Sequence, residues 1–166
     1  MLPFEILDMI YKKPNHPTML ELRRTNSDNP DFHQLTQKLD ITLCEIYSTK
    51  IEDYEEYNRI IDLETVVLAY LDGEPVGCGC FKKFNTDSIE IKRMYVVPEH
   101  RKKGIASRIL YEMEIWAIEL NYTYAMLETG NRQPEAIDLY QNLGYTITDN
   151  YIKTDHSVCM IKSLWT

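Results

Sequence analysis

One stretch, residues 90–107, constrains the fold more than any other part of this chain. Apolar and polar residues alternate over 89–97 and β-branched residues are frequent there, which predicts a strand. Pro98 ends that strand, because proline has no N–H to give to a ladder. A short basic loop over 101–106 follows, and a helix opens at Gly104. The free amides and the dipole of a first helical turn attract anions, so this arrangement predicts a site for a doubly charged group such as a pyrophosphate.

The spacing of the glycines excludes the two commonest phosphate-binding loops. A Walker loop requires G-x-x-x-x-G-K-[ST], which the sequence does not contain. Gly77-Cys78-Gly79 lies inside a strand-like run with no helix after it, so it does not open a Rossmann dinucleotide site. What remains is R-x-x-G-x-A, from Arg101 to Ala106. Taken alone, this motif fits either an anion site or an ordinary connection with a solvated run of charge.

Net charge indicates what kind of ligand to expect. The chain has 166 residues, enough for a substantial core, and a formal net charge of −8. Such an acidic chain is not expected to bind nucleic acid. Against this background, the basic residues in and around the loop stand out, namely Lys92, Arg93, Arg101, Lys102, Lys103 and Arg108. Localised positive charge on an acidic protein predicts a small anionic ligand.

The sequence predicts neither a membrane protein nor a secreted one. Apolar runs are too short to cross a bilayer, and Glu5 and Asp8 interrupt any N-terminal signal pattern. We therefore expect a cytoplasmic protein with no membrane partner, in which the cysteines are reduced. Cys78 and Cys80 lack a second ligand pair at zinc spacing, so no metal site is predicted.

Hydrophobic periodicity and turn signals predict an α/β fold. Helices are expected from Asn29–Pro30 to about Tyr47, over 103–120, and from Pro134 to just before Gly144. Strands are expected over 18–24, 64–71, 75–84, 89–97, 124–128, 145–148 and 157–164, and a short helix or a loop over 52–61. Asp72-Gly73 predicts a tight hairpin, and the helix before 124–128 predicts a parallel strand pair. The result is a mixed, mostly antiparallel central sheet of about six to seven strands, with helices on both faces.

Two motifs, each on the expected element, resemble one family. R-x-x-G-x-A after a strand matches the acetyl-CoA-binding motif of the GCN5-related N-acetyltransferase (GNAT) superfamily. Ala136, Tyr140, Gly144 and Tyr145 match its A-x-x-x-Y-x-x-x-G-[FY] pattern. The resemblance implies the GNAT, or acyl-CoA N-acyltransferase, fold over a single domain, residues 18–166. Residues 1–17 would then be an N-terminal extension that could hold a short helix.

The resemblance implies acetyl-CoA as co-substrate and assigns residues to bind it. The loop backbone would hold the pyrophosphate, and the strand before it would bind the pantetheine arm and the acetyl oxygen through its main chain. The loop residues are Arg101, Lys102, Lys103, Gly104, Ile105, Ala106 and Ser107, and those of the strand are Met94, Tyr95 and Val96. Where the family often has an asparagine that contacts pantetheine, this chain has Gln133, with Asn131 two residues earlier. Either could make the contact.

The resemblance also implies transfer to a primary amine by direct attack in a ternary complex. Glu90 lies eleven residues before Arg101, where the histone-acetyltransferase branch places its general base. Tyr140 occupies the position of the tyrosine that protonates the leaving thiolate. Structural explanations remain open for both. Glu90 could be a strand-edge carboxylate paired with Lys92 or Arg93, and Tyr140 could simply pack on the core.

The acceptor groove that the resemblance implies contains aromatic and acidic side chains. The groove residues are Tyr47, Tyr54, Tyr57, Tyr151, Asp155 and His156, with Glu52, Asp53, Glu55 and Glu56 nearby. Carboxylates and aromatic faces together favour a cationic small molecule or peptide amine, although an ordinary solvated acidic helix explains the acids equally well. A non-catalytic acyl-CoA-binding or sensing module is the alternative function. Homodimers are common in the family, so a homodimer is also conceivable, but no stretch identifies an interface.

Overall fold

Seven strands form one mixed sheet in the order β1-β2-β3-β4-β5-β7-β6. The computed structural model describes residues 19–50, 60–149, 151 and 156–165. The strands are β1 (Leu20–Thr25), β2 (Val66–Leu71), β3 (Glu74–Lys83), β4 (Ser88–Val96), β5 (Tyr124–Gly130), β6 (Thr146–Ile147) and β7 (Ser157–Ser163). The helices are α1 (Pro30–Tyr47), α2 (Ile105–Glu119) and α3 (Pro134–Asn142). The predicted extension over 1–17 and the segment 52–59 lie outside the described residues.

Helix α1 begins and ends where its sequence predicts. The Asn29 side chain accepts a hydrogen bond of 2.9 Å from the amide of Asp31, which satisfies one free donor of the first turn. Pro30 occupies the first turn, where its missing N–H costs nothing. The helix ends at Tyr47, and Ser48 adopts a left-handed conformation with φ 54°. The prediction of this helix is confirmed.

The β2–β3 hairpin is also the one that the sequence predicts. Asp72 and Gly73 have φ values of 50° and 88°, the positive angles of a type I′ turn. Leu71 therefore faces Glu74 directly across the turn. The register continues to Val66, although it shifts between Ala69 and Tyr70.

The sheet is mixed but mostly antiparallel, as predicted. Strands β4 and β5, which are joined through α2, pair in parallel, and the other five described pairings are antiparallel. Parallel pairing follows from the crossover through a helix. Helices cover both faces of the sheet. The core contains completely buried side chains from β2, β4, α2 and β5, including Val66, Leu68, Ile89, Ile109, Leu110 and Met113.

A bulge in β4 anchors α1 to the sheet. The β3–β4 register shifts between Cys78 and Cys80, and Arg93 opposite them has φ 59°. The Arg93 guanidinium pairs with the Asp40 carboxylate at 2.8 Å and donates to the Thr36 carbonyl at 3.1 Å. No local pattern in the sequence indicates this link between α1 and the strand that leads to the basic loop.

Several predicted boundaries need correction. Strands β1 and β2 begin at Leu20 and Val66, two residues after the predicted starts at 18 and 64. Helix α2 begins at Ile105, not at 103, because Gly104 has a left-handed conformation. Strand β5 continues to Gly130, two residues beyond the predicted end. Strand β6 contains only Thr146 and Ile147, because the backbone N–H of Tyr145 donates to the Tyr140 carbonyl at the end of α3.

Candidate active site

Strands β4 and β5 separate in the middle of the sheet. Their parallel pairing runs from Ser88 opposite Tyr124 to Ile91 opposite Leu127. Beyond that point β4 continues to Val96 and β5 to Gly130, but the described residues form no further β4–β5 pairs. Main-chain groups of β4 that face this opening have no ladder partner on β5. A ligand that enters the opening can therefore bind to them.

The predicted loop lies between β4 and α2. Lys102 and Gly104 have φ values of 59° and 76°, so the chain turns sharply before the helix. No side chain caps the start of α2, which leaves its first amides available to a ligand. Arg101, Lys102 and Lys103 are exposed beside them, and Ser107 is half-buried on the first turn. Uncapped amides, exposed cations and a left-handed glycine fit the diphosphate of a nucleotide cofactor.

Arg101 connects the loop to the end of β4. Its Nε donates a hydrogen bond of 2.9 Å to the Val96 carbonyl, and its guanidinium lies 5.6 Å from the centre of the Tyr95 ring. Tyr95 and Val96 are buried, and Met94 is half-buried against Gly79. The Val96 carbonyl thus already accepts one hydrogen bond from Arg101, and its second lone pair can still accept one from a ligand.

The basic cluster predicted from sequence is wrong for two of its members. Arg93 is paired with Asp40 under α1, and the ammonium of Lys92 lies beside Glu90. The bulge in β4 and the inward direction of these side chains separate them from the loop. The remaining basic residues, Arg101, Lys102, Lys103 and Arg108, are exposed.

Glu90 is a buried carboxylate at the start of the opening. It is 4% exposed and is paired in register with Met126, one residue before the last β4–β5 pair. Lys82 Nζ lies 3.3 Å from one carboxylate oxygen, and Lys92 Nζ lies 3.4 Å from the other. The two ammonium groups compensate a charge that would be costly to bury alone. Pairing with Lys92 was expected as an alternative to the catalytic role, whereas pairing with Lys82 was missed.

Tyr140 is buried near the end of α3, and its hydroxyl has no hydrogen-bond partner among the described residues. Burial raises the pKa of its phenol well above the ordinary value, so the hydroxyl keeps its proton at neutral pH. Its ring meets the Tyr145 ring edge to face, with the centroids 5.9 Å apart. No hydrogen bond joins the Tyr140 hydroxyl to another described side chain. The residue therefore packs on the core and also retains a free proton donor.

The two candidate pantetheine ligands lie just after β5. Asn131 is exposed, and its backbone N–H donates a hydrogen bond of 2.9 Å to the His156 carbonyl. Gln133 Nε2 lies 3.4 Å from the hydroxyl of Tyr47, the last residue of α1. A Cβ at position 130 would collide with that hydroxyl, so the close approach of Tyr47 requires Gly130. The structure therefore places Tyr47 at the end of β5, next to the opening.

Tyr151 lies on the Glu90 side of the opening. Its ring meets the Phe84 ring at 5.0 Å between centroids. Its hydroxyl is buried and has no hydrogen bond of normal geometry among the described residues. Burial is the main cause of the raised pKa of this phenol, and the negative charge of Glu90 raises that pKa further. Of the other predicted groove residues, His156 is exposed, whereas Tyr54, Tyr57, Asp155 and the acids at 52, 53, 55 and 56 lie outside the described residues.

Comparison with known proteins identifies the family to which this site belongs. Residues 29–145, more than half of the chain, match the profile described as "Acetyltransferase (GNAT) family". The chain belongs to this family. The acetyltransferase is 32% identical over 120 residues to an IAA acetyltransferase of Azospirillum brasilense, which covers 68% of this chain and 74% of the relative.

A second relative supports the family, and a solved structure supports the fold. An uncharacterized N-acetyltransferase of Escherichia coli, YjgM, is 27% identical over 161 residues, or 91% of this chain and 95% of the relative. The PaiA N-acetyltransferase of Thermoplasma acidophilum, solved in complex with coenzyme A, has a similar fold with a TM-score of 0.68. That match is 17% identical and covers 87% of this chain and 99% of the other.

Family membership confirms the predicted fold and the predicted class of enzyme. The acetyltransferase is an acetyl-CoA-dependent N-acetyltransferase, and its acceptor is an amine. The loop at the start of α2 fits the diphosphate of this co-substrate. Within the described part of the chain, none of the helices is both long and apolar enough to span a membrane.

Proposed function

We propose that the acetyltransferase transfers the acetyl group directly from acetyl-CoA to a primary amine, with both substrates bound at once. The observation that carries this proposal is the separation of β4 from β5 immediately after the buried carboxylate of Glu90. The opening exposes main-chain groups that can polarise a thioester carbonyl, and it begins at Lys92, two residues after Glu90. A base and an electrophile site are thereby brought close together.

The proposed position of acetyl-CoA follows the main chain of β4 and the loop. The backbone amides at 101–107 hold the diphosphate, with charge from Arg101, Lys102 and Lys103. Main-chain groups of Met94, Tyr95 and Val96 bind the pantetheine arm and the acetyl oxygen, and Asn131 or Gln133 adds an amide contact from the end of β5. The uncapped first turn of α2 and the divergence of the two strands support this position.

Glu90 and Tyr140 are the proposed proton-transfer residues. Glu90 removes a proton from the acceptor ammonium so that the nitrogen can attack the thioester carbonyl. Tyr140 donates its hydroxyl proton to the departing sulfur and recovers one from the reacting nitrogen. The burial of Glu90 and the protonated, uncommitted hydroxyl of Tyr140 support these roles.

Three of the four cysteines support direct attack rather than an acetyl-cysteine intermediate. Cys78, Cys80 and Cys159 are completely buried. Burial raises the pKa of the Cys80 thiol to about 12 and that of the Cys78 thiol further still. Because the thiolate is the nucleophilic form, both residues are inert at neutral pH.

The proposed acceptor is a small molecule or peptide amine that binds as a cation. Its ammonium would bind to Glu90, and the rings of Tyr151 and Tyr47 would lie nearby. A second carboxylate, that of Glu128, lies on the same side of the opening and is hydrogen-bonded to Ser157. Carboxylates and aromatic rings together stabilise an ammonium group.

Initial-rate kinetics test the proposed order of events. A panel of amines, amino acids and peptides is incubated with acetyl-CoA, and the released thiol and the acetylated amine are both measured. For the best acceptor, reciprocal plots at several acetyl-CoA concentrations should intersect, which indicates that both substrates bind before reaction. Parallel lines, together with an acetyl group on a cysteine, would contradict direct attack.

A further inference from the structure

The protein places one of its own amines at the proposed base. Lys92 Nζ lies 3.4 Å from Glu90 Oε1, and the Lys92 side chain is only 22% exposed. An acceptor amine would have to approach the same carboxylate to lose its proton. Lys92 therefore occupies the position that the mechanism assigns to the acceptor.

Lys92 is also the first residue of β4 within the opening. The last β4–β5 pair is Ile91 opposite Leu127, and Met94 lies two residues further along the strand. Lys82 contacts the other Glu90 oxygen, but it belongs to β3, faces Glu90 across the ladder and is 48% exposed. Of the two lysines on Glu90, Lys92 is the one on the strand that lines the opening.

We propose that Lys92 is an acetyl acceptor, so that the enzyme acetylates its own chain when no other amine is supplied. This inference rests on the proposed roles of Glu90 and of the β4–β5 opening. Lys92 is held by the fold, so it needs no binding energy to reach the base, and its reaction is unimolecular once acetyl-CoA is bound.

The proposed reaction balances without any further reagent. The Lys92 ammonium gives one proton to Glu90, which passes it to water. The free amine attacks the thioester carbonyl, a C–N bond forms and the C–S bond breaks. The second proton ends on the sulfur through Tyr140. The products are an acetamide on Lys92, the free thiol of coenzyme A and one proton in solution.

Acetylation would change the surroundings of Glu90. An acetylated lysine is neutral and cannot form an ion pair, so Glu90 would keep only the Lys82 ammonium. The modified side chain would also no longer offer an amine at the base. Each molecule can therefore acetylate Lys92 only once, whereas an external amine is turned over repeatedly.

Mass spectrometry of the full chain tests the inference. The purified protein is incubated with acetyl-CoA and no amine, and its intact mass and proteolytic peptides are followed over time. We expect the gain of one acetyl group at Lys92, at a rate that saturates with acetyl-CoA and does not depend on protein concentration. Lys102, which is 85% exposed, reports the background chemical reaction, and Lys92 should be acetylated about 100-fold faster.

Two variants serve as matched controls. Lys92→Arg keeps a cation near Glu90 but removes the reactive amine, so the acetyl group should be lost from this position. Lys82→Arg changes the other lysine of the pair and should still be acetylated at Lys92. Acetylation of Lys92 no faster than Lys102, in a protein that acetylates amines of the panel, would overturn this inference alone. If neither Lys92 nor any amine is acetylated, the proposed function fails as well.

Discussion

The hydroxyl of Tyr145 donates a hydrogen bond of 2.9 Å to the buried carboxylate of Glu114. The bond joins the chain after α3 to the middle of α2, and Lys162 on β7 donates to the other carboxylate oxygen at 2.7 Å. The Tyr145 ring in turn meets Tyr140 edge to face. The network that ties α2 to β7 therefore also fixes the ring of the proposed proton donor.

Tyr145→Phe should destabilise the fold. The change leaves the aromatic contacts but removes a hydrogen bond to a charged group, which should lower the free energy of unfolding by about 2 kcal/mol. Urea denaturation measures this loss. The control is Tyr111→Phe on the exposed side of α2, the helix that contains Glu114, and it should change stability by less than about 0.5 kcal/mol. Equal stabilities of the two variants would show that the bond to Glu114 contributes nothing.

Tyr140→Phe should slow turnover without unfolding the protein. Removal of the hydroxyl keeps the packing against Tyr145, so stability should be nearly unchanged while kcat falls by about 100-fold. Tyr111→Phe again provides the matched control. An unchanged kcat in Tyr140→Phe would leave this tyrosine with a packing role only.

The raised pKa of Tyr140 also predicts how turnover depends on pH. A proton donor is active while protonated, and burial keeps this phenol protonated to a higher pH than an ordinary tyrosine, whose pKa is about 10. We therefore expect kcat not to decline between about pH 8 and 10 on account of Tyr140. A pH–rate profile over that range provides the measurement. An alkaline decline that disappears in Tyr140→Phe would contradict the assignment.

Gly104→Ala should weaken acetyl-CoA binding. Gly104 has φ 76°, so an alanine there is strained by about 1 kcal/mol and should distort the loop that holds the diphosphate. Gly73→Ala is a close control, because its φ is 88° and it too has no atom within 4 Å of an added Cβ. Both variants should lose similar stability, but only Gly104→Ala should raise the Kd of acetyl-CoA, by about tenfold, in a calorimetric titration. Equal Kd values would place the diphosphate elsewhere.

The parts of the fold that depend on local sequence were predictable. Asn29 and Pro30 marked the start of α1, Asp72-Gly73 marked the hairpin, and the basic loop was recognised before α2. Each of these signals acts within a few residues of the feature that it specifies. Strand β4 was likewise predicted, but its burial does not alternate. Residues 88–91, 95 and 96 are all buried, because β4 lies in the middle of a sheet that helices cover on both faces.

The parts that depend on tertiary contacts were not predictable. The bulge that turns Arg93 toward Asp40 arises from a register shift between β3 and β4, which no local pattern records. The pairing of Glu90 with Lys82 also requires knowledge of that register. The approach of Tyr47 to Gly130 joins residues that are far apart in sequence. A glycine at the end of a strand was the only local signal, and it did not identify its partner.

Gly130→Ala should displace Tyr47 from the end of β5. The added methyl group would collide with the Tyr47 hydroxyl, and overpacking of this kind costs about 2 kcal/mol. Tyr47→Ala in the same chain removes the collision and should restore most of the lost stability. Thermal denaturation of the single and double variants measures this coupling. Additive effects of the two changes would show that the residues do not interact.

Glu90→Gln provides the most direct test of the proposed mechanism. Glutamine has nearly the same shape as glutamate but cannot remove a proton from the ammonium group of the substrate. We therefore expect kcat with the best amine to fall by about 100-fold or more. Glu99→Gln in the exposed turn before the loop is the control and should retain full activity. The measurement is kcat as a function of pH for both variants and for the wild-type protein. We expect Glu90→Gln to be slow at every pH of the range, whereas Glu99→Gln should follow the wild-type protein. A pH–rate profile of Glu90→Gln close to that of the wild-type protein would contradict the role of Glu90 as the base.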